Sequence, residues 1–311
     1  MVSGNIAAAE RPVFIFGSGW RCGSTLLQRL LSSHPDLMIW GENRRLMEHL
    51  MGGWSTVDGL QELSSVATTN WHHHKHQGWI ALMNPGFDHF EHAMRDLLSR
   101  YLAVPAREMG CARWGFKEVR CDATVMHWLA TLYPHARFLL IVRHPQDCLA
   151  SARATAKAGA GLLAEVGGPD AFVAHWARTA ESFLHARGDT SKLLVYEDFI
   201  RVPAESATVV AQFLNVDPRG FDMEVFAQRT SGWNQRPELA HADRVALCDP
   251  TLWRIAKEFG YTSRQTQGLS KRLMELRQQV GPNGQLRRLG KRTAKFCASY
   301  LTRAATQTTR R

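Results

Sequence analysis

The chain has 311 residues, 45% of them hydrophobic and 21% charged, the composition of a globular protein long enough to bury a sizeable core. No run approaches the roughly 20 apolar residues that a membrane span needs, and residues 1–10 lack a basic segment followed by an apolar one, so neither a membrane protein nor a secretory leader is expected. The net charge of +10 is concentrated in residues 281–311, which hold eight Lys or Arg and no acid, leaving +2 for the other 280 and little basis for a nucleic-acid-binding surface on the main domain.

Six cysteines (22, 111, 121, 148, 248, 297) are scattered without a CxxC pair. That spacing suits reduced thiols and a cytoplasmic location.

The first informative stretch is Val13–Leu31. Val13–Phe16 is a short apolar run with the character of a buried strand, and it stops at Gly17-Ser18-Gly19. Ser24 and Thr25 then open a helix on which Leu26, Leu27, Leu30 and Leu31 recur at helical spacing. A strand turning through glycines into a helix N-terminus points free N–H groups and the positive end of the helix dipole at one spot, which suits a phosphate. The letters do not match the nucleoside-triphosphate pattern G-x-x-x-x-G-K-[ST]. Ser18 stands in place of its first glycine, Ser24 in place of its lysine, and the basic residue is Arg21. An ordinary strand-turn-helix of an α/β protein has similar features.

Ser33-His34-Pro35 ends that helix, and Leu37–Trp40 reads as a second strand leading into the turn Gly41-Glu42-Asn43. Residues 44–51 are expected to be helical and 52–86 irregular. This stretch contains the run Trp71-His72-His73-His74-Lys75-His76, whose contiguous histidines lack the spacing of a zinc site and fit a polar insert. From 87 to 101, Phe87, Phe90, Met94, Leu97, Leu98 and Tyr101 mark the apolar face of one helix.

Trp114–Val119 and Arg137–Val142 are strand-like, with a helix over 125–132 between them. Arg143-His144-Pro145 follows the second of these strands and leads into a helix over 148–155. Residues 156–168 are expected to form a mobile loop, 170–187 a long helix, 193–196 a strand closed by Glu197-Asp198, and 203–214 the helix behind it. Such alternation predicts an α/β fold, a parallel sheet with helices on both faces and ligands at the carboxyl ends of its strands. Beyond 220 the expectation is helix at 223–228, polar loop at 230–236 and helix at 252–259. A helix around 269–280, a break at 281–284 and the basic tail complete a helical C-terminal extension. The expected division is therefore 1–262 and 263–311.

Arg21-Cys22-Gly23-Ser24-Thr25 resembles the P-loop-like phosphosulfate-binding turn of the sulfotransferases that use 3′-phosphoadenosine-5′-phosphosulfate (PAPS). On this resemblance, which covers roughly residues 12–215, those five residues cradle the cofactor. Arg143 and Ser151, eight apart, resemble the family's pair for its 3′-phosphate, where a guanidinium gives a forked charged contact and a hydroxyl a further donor. Arg143 could also be a strand-terminal residue paired with Asp147. Tyr196-Glu197-Asp198-Phe199 is similar to the family's tyrosine-acid motif, which implies a cofactor contact for Tyr196 and structural roles for the two acids.

Trp114–Arg120 resembles the segment that supplies a catalytic lysine, here Lys117, in the tyrosylprotein and heparan-type branches. It has Glu118-Val119 where a proline often follows, and a solvent-facing lysine at a strand end would read the same way. Leu37–Glu42 looks like the segment whose Gly-Glu pair supplies the general base in the tyrosylprotein and bacterial trehalose-type enzymes. The implied roles are Glu42 as base and Arg21 and Lys117 as cations on the departing oxygen. Cytosolic sulfotransferases use a histidine, and neither His127 nor His135 sits at a predicted strand end.

The resemblance implies sulfuryl transfer from PAPS to a hydroxyl of a sugar, peptide or small molecule, without a metal. Trp54, Trp71 and Trp79 lean toward a sugar or aromatic acceptor. The alternatives are a P-loop ATP-dependent kinase, which needs a lysine at 24 and an acidic Mg²⁺ ligand, and a non-enzymatic nucleotide- or polyanion-binding module using the basic tail. The tail is otherwise expected to meet an anionic membrane surface or the acceptor's carrier.

Overall fold

The computed structural model describes residues 7–155, 161–227 and 238–263. The chain divides into two units, Met1–Tyr261 and Thr262–Arg311, and the account below is of the first. The expected loop at 230–236, the helix around 269–280, the break at 281–284 and the basic tail lie outside the described residues.

Five parallel strands form the sheet: β1 (Val13–Gly17), β2 (Leu37–Trp40), β3 (Arg113–Glu118), β4 (Arg137–Val142) and β5 (Ser191–Val195), in the spatial order β2-β3-β1-β4-β5. The central strand β1 is the most apolar, and all five of its residues are buried. It stands in register with both neighbours, Val13 opposite Gly115 and Arg137. Phe14, Phe16, Phe116 and Phe138 pack ring to ring across the three middle strands, with centroids 4.7–6.3 Å apart. This cluster lies below the strand ends that carry the polar residues, and it fixes their spacing.

Helices surround the sheet: α1 (Ser24–Ser32), α2 (Leu46–Asp58), α3 (Gln61–His74), α4 (Phe87–Leu98), α5 (Val104–Glu108), α6 (Ala123–Leu132), α7 (Pro145–Thr155), α8 (Leu162–Val166), α9 (Pro169–His185), α10 (Tyr196–Arg201), α11 (Pro203–Leu214), α12 (His241–Ala246) and α13 (Pro250–Lys257). The α/β architecture expected from the alternation of apolar runs is the one observed. Among the described residues, no helix is long and apolar enough to cross a membrane.

The structure corrects the sequence reading at several elements. Residues 52–86 are mostly helical: α2 runs on through Gly52 and Gly53 to Asp58, and α3 follows. No proline interrupts residues 36–84. The buried stripe of α3 is Ser64 and Ala67, too small and polar to register as an apolar face. Trp54 anchors α2 edge-on against Phe87, with centroids 4.9 Å apart.

On α4 the buried residues are Met94 and Leu98, while Leu97 and Tyr101 are about half exposed, at 49% and 55%. A wide π turn at Ser99–Ala103 admits one extra residue, which rotates the helix face so that Leu102 and Ala103 turn inward in place of Tyr101. The Trp40 indole donates to Leu102 O at 3.0 Å and ties this turn to β2. Part of the expected loop at 156–168 is helix α8. Tyr196 opens α10 and does not close β5, and Met223–Phe226 is a single 3₁₀ turn.

Candidate active site

The turn after β1 is built on alternate residues in left-handed backbone. Gly19 has φ +140°, Arg21 +67° and Gly23 +97°. Ser18 N donates to Ile141 O at 2.9 Å and extends the β1–β4 ladder into the turn. At Gly23 a side chain is excluded twice, by its φ and because a Cβ would lie 2.1 Å from the Tyr196 ring. Arg21 adopts a conformation that costs a non-glycine residue about 1–2 kcal/mol. Two long-range bonds offset this: Arg21 Nε donates to Ser151 Oγ at 2.9 Å, and Arg143 Nη1 donates to Arg21 O at 3.0 Å. Burial and the neighbouring Arg143 charge lower the Arg21 pKa.

Cys22 is wholly buried beneath the turn, and burial pushes its thiol pKa up. A bound anion would therefore meet its backbone N–H and not its sulfur. Ser24, buried, and Thr25, exposed, open α1 immediately after the turn.

Arg143, at the end of β4, lies over the Tyr196 ring with its guanidinium carbon 4.6 Å from the centroid. Its Nε is buried without a hydrogen-bond partner, as is Ser18 Oγ in the turn itself. Unpaired buried donors are rare, and two beside a glycine cradle fit an anion. Glu197 binds the framework of this edge, accepting from His144 N at 3.0 Å and from Tyr261 OH at 2.6 Å. Burial, reinforced by the hydrogen bond and charge of Glu197, pushes the Tyr261 hydroxyl pKa far up.

The third group comes from β2 and β3. Lys117, 6% exposed, donates from Nζ to Glu42 Oε1 at 2.5 Å and reaches Thr25 Oγ1 at 3.5 Å. Arg120 holds the other Glu42 oxygen. Burial alone would raise the Glu42 pKa, but the hydrogen bonds and charges of Lys117 and Arg120 outweigh it and hold the carboxyl below its ordinary value. Lys117 and Arg120 thus engage both oxygens of the Glu42 carboxylate.

The sequence reading missed Arg120, whose guanidinium also lies 5.6 Å from the Trp20 ring centroid, 3.6 Å from Glu118 and 3.7 Å from Glu165. Its charge beside the strand-end Lys117 was the available signal. Glu118, which departs from the family's frequent proline, is fully buried and closes the turn by accepting from Val119 N at 2.8 Å and Arg120 N at 3.1 Å.

His175 was also missed. Burial lowers its pKa, and its Nε2–H donates to Val119 O at 2.8 Å while Trp20 packs on it at 4.6 Å. The histidines weighed earlier, His127 and His135, are both exposed. His72–His74 occupy the exposed last turn of α3, and among the described residues no three His, Cys, Asp or Glu side chains are grouped as metal ligands.

Every sequence-predicted site residue thus lies at or just beyond the carboxyl edge of the sheet, with β1, β2, β3, β4 and β5 each contributing. A family profile described as "Sulfotransferase family" matches residues 12–219. No curated protein matches the chain. Among solved structures it is similar to the sulfotransferase domain from the Synechococcus PCC 7002 olefin synthase, at 18% identity over 82% of this chain and 96% of that one, with a TM-score of 0.47. A sulfotransferase domain from the curacin biosynthetic pathway matches at 16% identity over 81% and 98%, with a TM-score of 0.49. Mouse sulfotransferase SULT7A1 complexed with PAP matches at 12% identity over 85% and 83%, with a TM-score of 0.42.

Proposed function

This chain belongs to the sulfotransferase family, and on that premise we propose that it moves a sulfuryl group from PAPS to the hydroxyl of an acceptor. The observation that carries the reading is the convergence of the Gly23 turn, the Arg21–Ser151 and Arg143–Tyr196 pairs and the Lys117–Glu42 pair at one sheet edge. The glycine cradle and the unpaired donors at Arg143 and Ser18 fit a ligand with phosphate and sulfate groups. Ser24 stands where a kinase of this turn type carries its lysine, which favours sulfuryl over phosphoryl transfer.

In this reading Arg143 and Ser151 hold the 3′-phosphate, with Tyr196 beside it. The backbone of Arg21–Thr25 holds the phosphosulfate. Glu42 takes the proton of the acceptor hydroxyl as that oxygen forms its bond to sulfur and the old sulfur–oxygen bond breaks. Lys117 and Arg21 stabilise the charge left on the departing oxygen.

At rest Glu42 and Lys117 satisfy each other, which pre-positions both. Lys117 lies between Glu42 and Thr25, so a small turn of its Nζ toward the departing oxygen weakens its hold on Glu42 and makes that carboxylate a better base. The acceptor enters past α2, which begins four residues after Glu42. Cys22, Cys111, Cys121 and Cys148 are free thiols, in keeping with a reducing, cytoplasmic setting.

The test is turnover of labelled PAPS against a panel of hydroxyl acceptors, with ligand-induced thermal shifts alongside. Adenosine 3′,5′-bisphosphate should stabilise the protein more than ATP or heparin does. Preferential stabilisation by ATP, or by heparin without saturable nucleotide binding, would overturn the reading.

A further inference from the structure

The opposite edge of the sheet carries a second cationic cluster with no part in the chemistry above. Arg113 and Arg137 are the first residues of β3 and β4, and Arg11 stands two residues before β1. These are adjacent strands in the order β3-β1-β4, so three guanidiniums line up along the amino edge, across about 10 Å at the usual strand spacing. Among the described residues, none of the three has a carboxylate within salt-bridge distance. A cavity of about 380 Å³ opens between them, also lined by His135, Thr190 and Asn215 and by no acid. That volume falls in the range of small-ligand sites.

A purely structural role explains only part of this. Arg113, 8% exposed, donates to Arg11 O at 2.8 Å and to Leu214 O at 2.7 Å, which bolts the start of β3 to its surroundings. Arg137 donates to Asp189 O at 2.6 Å and stacks on Phe213, 5.3 Å from its centroid. The Nε of Arg11, however, is buried with no hydrogen-bond partner. Burial, reinforced by the charges of Arg11 and Arg137 and only partly opposed by that of Asp36, brings the Arg113 pKa down to about 10. An adjoining cavity of about 450 Å³ shares Arg11, Arg113 and Asn215 and does contain Asp36 and Asp217, the latter held by Arg219 at 2.7 Å. The acid-free side is therefore the one bounded by Arg137.

We propose that the cavity lined by Arg11, Arg113 and Arg137 binds a small ligand through a tetrahedral oxyanion, a phosphate or sulfate, at the edge of the sheet opposite the sulfuryl-transfer site. Guanidiniums from three strands offer forked donors to such a group, and its charge relieves their mutual repulsion.

The experiment is calorimetric titration of the Arg143→Ala protein, in which anion binding at the carboxyl edge is weakened, with inorganic phosphate and with ribose 5-phosphate at constant ionic strength. Saturable binding of either is expected. It should weaken at least about tenfold when Arg11→Gln and Arg137→Gln are added, the loss of about one charged contact. Tighter binding of ribose 5-phosphate assigns an esterified group, and tighter binding of inorganic phosphate the free ion. Hydrogen exchange on the wild-type chain gives an answer that does not depend on the variants folding: phosphate should protect residues 134–137 and 189–190. Absence of saturable binding in Arg143→Ala, unchanged binding in the triple variant, or no protection of those segments would each overturn the proposal.

Discussion

Tyr196 and Gly23 are fitted to one another: the ring fills the space a Cβ on Gly23 would occupy, at 2.1 Å from Cδ2. The first residue of α10 thereby sets the shape of a turn more than 170 positions earlier. Gly23→Ala must therefore displace the ring and also hold alanine at φ +97°. The expected loss is about 2–4 kcal/mol, read as a fall in Tm, with weaker binding of adenosine 3′,5′-bisphosphate. Adding Tyr196→Ala should restore part of the Tm, because it removes the clash but not the backbone strain. A single Gly23→Ala variant as stable as wild type would mean the ring is free to move aside.

Arg143 is expected to separate ligands by their 3′-phosphate. Arg143→Ala should weaken adenosine 3′,5′-bisphosphate by about 2–4 kcal/mol, the range for a desolvated charged contact, and leave AMP nearly unchanged. Calorimetry showing equal losses for both would place the guanidinium elsewhere. Ser151→Ala removes a donor to the 3′-phosphate and the acceptor of the Arg21 Nε bond, so it should weaken adenosine 3′,5′-bisphosphate more than AMP, by less than Arg143→Ala does, with a small loss for both through the turn.

For Glu42 the prediction concerns pH. Its carboxyl is held below the ordinary value of about 4.3 by Lys117 and Arg120, and the base must be ionised. The acid limb of kcat/KM, which reports the free enzyme, should therefore fall below that value. The pair's contribution to stability is complete above the unfolded pKa and lost as pH drops through the lower folded one, so Glu42→Gln should flatten the acid side of the Tm profile. The same variant should lower kcat by about 10²- to 10⁴-fold while adenosine 3′,5′-bisphosphate affinity stays within about threefold. An acid limb near the histidine range that persists in Glu42→Gln would move the base role to a histidine.

Arg153 and the fully buried Asp243 join α7 to α12, and Asp243 also accepts from Ala240 N at 2.9 Å. Arg153→Met leaves the carboxylate buried without its cation and should cost about 3 kcal/mol, whereas Asp243→Asn, which leaves a partly exposed arginine, should cost less. Chemical denaturation checks the order, and the reverse order would show that the Ala240 contact dominates.

The sheet was largely legible because its strands are apolar on both faces: Leu37–Trp40 and Arg137–Val142 were bounded as observed, and so was α11. Helix α3 was not, because it packs through serine and alanine and leaves Leu63 and Val66 outside. Tyr101 faces solvent because a π turn, which local pattern does not reveal, changes the phase of its helix. At the site, Arg21, Glu42, Lys117, Arg143 and Ser151 stand at strand ends or on the helices that follow, where sequence order and chemistry coincide. Arg120, Trp20 and His175 matter through contacts with one another across chain separations that no spacing rule spans.

The strand order also constrains how the protein emerges from a ribosome. β1 is made before both of its partners, β3 and β4, so its five buried residues find a first neighbour only at about residue 118 and are covered on both edges only at about residue 142. For most of that interval an apolar strand with two open edges is exposed, a form that invites pairing with other chains. Nascent chains released before β4 should aggregate or hold a chaperone, and those released after it should not.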